Sequence, residues 1–414
     1  MVKKKVIVIG GGIVGLSTAY YLQKEGHEVI VIDKGEIGSG TSHINAGYLT
    51  PSHIVPMAAP GMISKGIRWM FNASSPFYIQ PRLNLDLIRW GLKFMKSCTS
   101  SHVLKSMRSI LDINLFSKKL YLEMQQSKFL KFHLESKGLL MAYKTSKAER
   151  EEAEVVNWAK DLGINVKQFS KEEILKIQPE SPMDVAGAFW YESDAHSTPE
   201  LFMKNLFKYL KLKGVKFNLN DEVNSFKKEG KFIKSIKTKK QVFKADEFVI
   251  ATGAWSERIL KNLGIYLSIQ AGKGYSFNLN KSNGISIPAI LLEAKVAVTP
   301  MKGYTRFGGT MEISGINKKI NLNRVNAIAK AGEEYYSNIS IPKNIFSKAQ
   351  SGLRPLSHDG LPFIGRHRKV DNLVLATGHS MMGWSLGPAT GKLVTELISD
   401  KTTSLDLNSF NPER

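Results

Sequence analysis

The stretch KVIVIGGGIVGLSTAYYLQKEGHEVIVIDK, Lys5 to Lys34, constrains the fold more than any other part of the chain. A β-branched run (Val6 to Ile9) leads through a glycine-rich turn into a helical stretch from about Val14 to Lys24. Gly26 stops it, and a second β-branched run (Val29 to Ile32) follows. That order is strand, helix, parallel strand. Gly10, Gly12 and Gly15 match G-x-G-x-x-G: the first allows a tight turn, the second lets backbone approach a pyrophosphate, and the third lets helix and strand pack closely. Amides at the helix start, around Ile13 and Val14, then face an anion. Asp33, followed by Lys34, ends the second strand, where a carboxylate accepts the hydroxyls of an adenosine ribose. The pattern predicts a dinucleotide site and leaves NAD and FAD both open.

The same segment imitates a secretory leader, because MVKKK precedes eighteen uncharged residues from Val6 to Gln23. Glycines interrupt that run and HEVIVID follows at once, so the reading stays strand, turn and helix. No other segment is long and apolar enough to span a bilayer, which predicts a protein that is soluble or lies on a surface.

Two later segments repeat one device. KADEFVIATGAWSERIL predicts a strand from Glu247 to Ala251 ending in Thr252-Gly253, with Trp255 opening a helical stretch. NLVLATGHSMMGWSLGPATGKLVTELI predicts a strand from Leu373 to Ala376, then Thr377-Gly378 and a helix from about Pro388 to Ile398. A strand ending in Thr-Gly permits a close backbone approach that a larger side chain would block. One fingerprint and two Ala-Thr-Gly ends imply a cofactor touching three separated segments. A fourth segment, SGLRPLSHDGLPFIG, places Arg354 before Pro355, which pushes it towards extended geometry and predicts a rigid strand end or turn.

These motifs carry a resemblance. VIVIGGGIVGLSTAYYL, TSHINAGYLTPSHIVPMAAPGM, GKGYSF, TRFGGTMEISG, SGLRPLSHDGLPFIGR and ATGHSMMGWSLGPATGKLVTEL span Val6 to Leu397. The chain resembles the FAD-dependent amino-acid oxidoreductases of the D-amino acid oxidase and glycine oxidase type, and most of all their bacterial D-amino acid dehydrogenase branch. The resemblance implies an α/β fold with a glutathione-reductase-type, Rossmann-like FAD domain interleaved with a substrate domain built on a mixed, largely antiparallel sheet. Laid on this chain, the FAD domain takes residues 1–60, 195–260 and 352–414, and the substrate domain 61–194 and 261–351. It adds Thr41, Ser42, Ala46, Gly47 and Tyr48 to the FAD contacts, with Val223 at the adenine. Ala251, Thr252, Gly253 and Trp255 join them, as do Gly378, Met382, Gly383, Trp384 and Ser385.

Within this resemblance Arg354 becomes the clamp on an amino-acid carboxylate, since a planar guanidinium matches that group bidentately. Tyr275, His379 and His53 are candidates for the substrate end, and His196 faces substrate or solvent. The implied reaction is hydride transfer from Cα to flavin N5, then imine hydrolysis; a cyclic amine gives a cyclic imine. Flavin linkage through a cysteine of the C-terminal half, as in related sarcosine oxidases, is ruled out because Cys98 is the single cysteine; the FAD is expected to be non-covalent. The flanks TPSHIVPMAAPGM and DAHSTP resemble relatives acting on D-hydroxyproline. Alternatives are a glycine or sarcosine-type amine oxidase using O2 and a flavin-dependent 2-hydroxy acid oxidase.

Charge adds a partner question. Lys and Arg number 58 against 36 Asp and Glu, a formal +22. The lysines are scattered, as on a solvated surface, and neither zinc-finger spacing nor an RNP-type motif is present, so no nucleic-acid partner is expected. Between Pro60 and Ser97, aromatic residues Trp69, Phe71, Phe77, Tyr78, Trp90 and Phe94 mix with Lys65, Arg68, Arg82, Arg89, Lys93 and Lys96. Such a mixture suits peripheral contact with an anionic membrane. A quinone or other respiratory acceptor, and a cytoplasmic location at or near the inner face of the cytoplasmic membrane, are the matching expectations.

Overall fold

The computed structural model describes residues 2–64, 66, 75–280 and 283–414. Lys65, Arg68, Trp69 and Phe71 of the basic, aromatic stretch lie outside the described residues.

The N-terminal motif folds as read: β1 (Lys5–Ile9), α1 (Ile13–Lys24) and β2 (Glu28–Ile32). These strands lie in a six-stranded sheet. Its order is Lys216–Asn218, β2, β1, Glu247–Ile250, Val370–Thr377, Phe363–His367. All neighbours are parallel except the last pair. The continuous β-branched runs are explained by burial on both faces. Val6 and Val8 pack with α1, the helix Pro199–Leu212 and the C-terminal helix. Ile7 and Ile9 pack against Val223, Ile233 and Ile236 of a small antiparallel meander on the opposite face.

The C-terminal helix begins at Gly383, five residues before the start read from the sequence, and carries Pro388 inside it. A proline there deprives the carbonyl four residues earlier of its donor. That carbonyl belongs to Trp384, and the buried Tyr121 hydroxyl donates to it at 2.7 Å. A distant side chain thus makes a helical proline tolerable. Gly387 and Gly391 let this helix lie against α1, where a Cβ would meet Ile13 Cγ1 at 2.6 Å and Ser17 C at 2.5 Å.

A second sheet of nine strands is mixed and mainly antiparallel. Its main path runs Gln350–Ser357, Ile269–Asn280, Tyr304–Ile313, Val296–Met301, Ala289–Leu291, Leu139–Tyr143, Gly187–Tyr191, Val166–Ser170. Phe77–Ile79 joins it in parallel beside Tyr304–Ile313. The residue boundary at 352 falls inside its edge strand, so the chain completes the second sheet at Ser357 before returning to the first at Phe363. A three-stranded patch of Tyr48–Leu49, Ala195–Ser197 and Leu134–Glu135 connects the segments around the two sheets. DAHSTP therefore contains a short strand, and Thr198 caps the following helix without a side-chain bond.

Candidate active site

A cavity of about 420 Å³ lies where β1, β2 and the two Ala-Thr-Gly strands end. Gly10 sits at its edge with φ of +111°, and a Cβ there would lie 2.4 Å from Ala251 O. Glycine is required twice over, by torsion and by the neighbouring carbonyl. Gly15 is off the lining: its Cβ would meet Gly10 O at 1.8 Å, which makes it the helix–strand packing residue expected. Gly12 caps α1 without a side chain, so Gly12, Ile13 and Val14 line the cavity with a helix N-terminus. Ser42 Oγ accepts from Ile13 N at 3.0 Å.

The Asp33 carboxylate accepts from Gly11 N at 2.6 Å and Gly35 N at 2.8 Å, which fixes it at the cavity while leaving lone pairs for hydroxyl donors. The Lys34 ammonium sits 3.5 Å from the Trp255 ring centroid, and burial lowers its pKa. Val223, Ala251, Thr252 and Gly253 also line the cavity. A chain of hydroxyls, Thr252 to Ser256 at 2.9 Å and Ser256 to Thr377 at 2.7 Å, joins the two Ala-Thr-Gly ends. Gly383 and Trp384 complete that side. This cradle fits FAD: a glycine turn that admits no Cβ, a helix N-terminus for phosphate and a preset carboxylate for ribose. Cys98, the single cysteine, is not among the lining residues, and burial pushes its thiol up to about 11.

Other expected contacts brace the cradle. Thr41 is on the lining, and its hydroxyl also accepts from Leu353 N at 2.9 Å and donates to Leu353 O at 3.1 Å. Ala46, Gly47, Tyr48, Gly378, Met382 and Ser385 are not among the lining residues. The Tyr48 hydroxyl reaches Ala289 O and Val298 O of the large sheet at 2.8 and 2.9 Å. Ser385 Oγ donates to Asn114 Oδ1 at 2.6 Å and accepts from Thr50 N at 3.1 Å.

Arg354 lies within an edge strand, in place of the expected strand end or turn. Edges tolerate a proline such as Pro355 because one row of N–H groups has no partner strand. Pro355 O accepts from Ser380 N at 2.9 Å, which ties this strand to the loop after Thr377. The Arg354 guanidinium lies over Gly274 of the neighbouring strand, where a Cβ would be 2.2 Å from Nη1. Nη1 donates to Thr310 O at 2.8 Å. Among the described residues no carboxylate pairs with Arg354, although burial pushes its pKa only to about 10 and it stays charged at neutral pH. It lines the same cavity as Gly10 and Asp33. A half-buried cation without a counterion is partly desolvated, and an anionic ligand offsets that cost.

The remaining candidates separate. His379 lines the cavity, with Nε2 2.9 Å from Thr390 Oγ1, and burial lowers its pKa to about 3. His53 is not among the lining residues; its Nδ1 lies 3.2 Å from Ser52 Oγ, and burial, then Lys295, lowers its pKa to about 4. Both imidazoles are neutral at pH 7. Tyr275 packs in the core of the large sheet and donates to Glu312 Oε2 at 2.8 Å; it is not a lining residue. His196 is fully buried, so it does not face solvent. Sequence reasoning missed Asn45, Ser380 and Met381 on the lining and Gly274 beneath the arginine. The signal for Gly274 was in GKGYS, since a glycine inside a strand marks a close approach.

Comparison with known proteins agrees with this arrangement. Residues 5–397 match the family described as FAD dependent oxidoreductase, DAO. A D-amino acid dehydrogenase of Neisseria meningitidis serogroup C is 31% identical over 419 residues, covering 99% of each chain. One from Granulibacter bethesdensis is 29% identical, covering 97% of each. Among solved structures, glycine oxidase from Geobacillus kaustophilus superposes with a TM-score of 0.78 at 22% identity over 100% of this chain and 99% of its own. L-proline dehydrogenase from P. horikoshii gives 0.73, also at 22%, over 100% and 97%. With a family match over nearly its whole length and a relative above 30% identity, the chain belongs to the DAO family of FAD-dependent oxidoreductases and is an enzyme of that class.

Proposed function

We propose that this enzyme oxidises the Cα–N bond of a D-amino acid, taking residues 1–60, 195–260 and 352–414 as the FAD domain and 61–194 and 261–351 as the substrate domain. The observation that carries the reading is Arg354, a half-buried guanidinium without a described carboxylate partner, on the wall of the FAD cavity. Its fork binds the substrate carboxylate, and the flat floor over Gly274 sets its plane. When bound, FAD supplies the acceptor for two electrons and a hydrogen.

The substrate reacts as its neutral amine. The Cα–H bond breaks with its electron pair, the nitrogen lone pair closes C=N, and water then releases ammonium and a 2-oxo acid. His379, on the cavity wall, is neutral at pH 7 and so does not repel the developing iminium cation. No side-chain base is required, because the leaving hydrogen carries its electrons away. The D configuration is supported by the relatives named D-amino acid dehydrogenase. A cyclic substrate such as D-hydroxyproline is the finer proposal.

We place the electron acceptor at a membrane, as a quinone or respiratory component, with FAD held non-covalently. Among the described residues no helix is long and apolar enough to cross a bilayer. The helix Leu85–Ser97 nevertheless exposes Leu85, Ile88, Leu92 and Met95 beside Arg89, Lys93 and Lys96. That surface suits an anionic bilayer at the cytoplasmic face. Anaerobic mixing of the purified yellow protein with D-, L- and cyclic amino acids, glycine, sarcosine and 2-hydroxy acids tests the substrate reading. Bleaching by D-amino acids supports it; bleaching by 2-hydroxy acids alone would overturn it. Acid precipitation should release the flavin, and salt-sensitive sedimentation with anionic vesicles should require the exposed leucines.

A further inference from the structure

The patch formed by Leu134–Glu135 and Ala195–Ser197 holds a second cluster outside the cavity lining. Glu135 stands directly across from His196 in the antiparallel register. His133 precedes Glu135 by two residues, so alternation along an extended chain places both on one face. One ligand atom from each of His133, Glu135 and His196 lies within 4.8 Å of the others. His133 Nε2 is 3.2 Å from Glu135 Oε1, and His196 Nε2 is 3.7 Å from Glu135 Oε2. Ligand atoms about 2.0–2.2 Å from a tetrahedral zinc ion are separated by roughly 3.4 Å. The observed spacings need only small side-chain adjustments.

A carboxylate flanked by imidazoles and a lysine also suits an ordinary polar network. His196 separates the two readings. It is 0% exposed, and neither ring nitrogen makes a hydrogen bond of full geometry, the Pro300 backbone offering only a poorly aligned contact. Its nearest described carboxylate is the one it shares with His133. Buried polar groups with poorly satisfied nitrogens are uncommon, and an ion held between this ring and the shared carboxylate would satisfy it. His133 Nδ1 lies 2.9 Å from Thr198 Oγ1, which accepts from Lys302 N. Donation from Nδ1 to that oxygen leaves Nε2 free, the outer-shell arrangement usual for metal-bound histidine.

We infer that His133 Nε2, a Glu135 carboxylate oxygen and His196 Nε2 form a zinc site. Its fourth position opens towards a surface groove that His133 and Glu135 line with Ser286 and Lys302. The competitor is Lys137, whose ammonium lies 2.8 Å from Glu135 Oε2; its side chain is 46% exposed and free to swing aside. Two imidazoles and one carboxylate with an open position suit zinc over calcium or magnesium. The ion would brace the strand whose Ser197 accepts from Trp384 Nε1 at 2.9 Å.

Chelator-treated, flavin-loaded enzyme is titrated calorimetrically with zinc sulfate and, in parallel, with Co2+ while visible spectra are recorded. One equivalent of zinc, a tetrahedral Co2+ spectrum and affinity weakened about 10- to 100-fold or more in Glu135→Gln and in His133→Gln support the site. Tighter binding in Lys137→Ala, which removes the competitor for Glu135 and leaves all three ligands in place, supports it independently of how the ligand variants fold. No uptake by wild type at millimolar zinc, or uptake indifferent to these substitutions, overturns it.

Discussion

Two arginines on the large sheet, one buried and one half-buried against a cavity, meet opposite surroundings. Arg306, on the strand Tyr304–Ile313, is 1% exposed and saturated. It bonds to Asn278 Oδ1, to the carbonyls of His43 and Asn45, and to the Glu200 carboxylate. Arg354, two strands away, donates to one carbonyl and has no carboxylate among the described residues. A saturated guanidinium holds the protein together; an unsaturated one facing a cavity is preorganised for a ligand. The two sites differ in what is missing, which residue type alone does not reveal.

Four substitutions sharpen this contrast. Arg354→Leu should raise KM for any carboxylate substrate or abolish turnover, because truncating a buried charge pair costs about 2–5 kcal/mol, roughly 30- to 4,000-fold. Flavin content and melting temperature should hold; unchanged KM would remove the clamp. Arg306→Met should do the reverse. It leaves Glu200 and several acceptors without their donor, so denaturation should show a loss of about 3–5 kcal/mol. Flavin content should fall with it, since the loop anchored at His43 and Asn45 adjoins the cradle. Equal stability to wild type would mean that Arg306 is not the support described.

Gly274→Ala drives a methyl group into Arg354 and should weaken substrate affinity about 10- to 100-fold at nearly normal flavin content. Normal kinetics would show that the guanidinium adjusts freely. The smallest effect is pH-linked. Asp194 is fully buried, and burial raises its pKa to about 7, against the opposing hydrogen bonds from Ser52 and Ser193. A raised folded pKa gives stability that is complete below about pH 4 and lost as pH rises through about 7. Asp194→Asn should therefore flatten the decline in melting temperature between pH 4 and 7. A slope identical to wild type would mean that Asp194 is not its source.

Legibility in the sequence followed the range of the interaction. β1, α1, β2 and the convergence of both Ala-Thr-Gly ends were readable because local torsion and period determine them. The C-terminal helix start was misplaced because Tyr121, more than 250 residues away, makes Pro388 tolerable. Tyr275 was grouped with the cavity because GKGYS was read as one unit, but alternation along the strand sends Gly274 towards Arg354 and Tyr275 to the opposite side. His53 carried family resemblance but no local signal for which way its ring turns. Arg354 was recognisable; its lack of a carboxylate partner was not, since that depends on every neighbour in space.

The paired bonds between the Thr41 hydroxyl and both backbone groups of Leu353 join the cofactor-side loop to the segment that carries Arg354. Transplanting a foreign arginine segment to change substrate preference would sever that stitch. Redesign of the Arg354 end of the cavity should therefore exchange both pieces as a matched set, even though about 310 positions separate them along the chain.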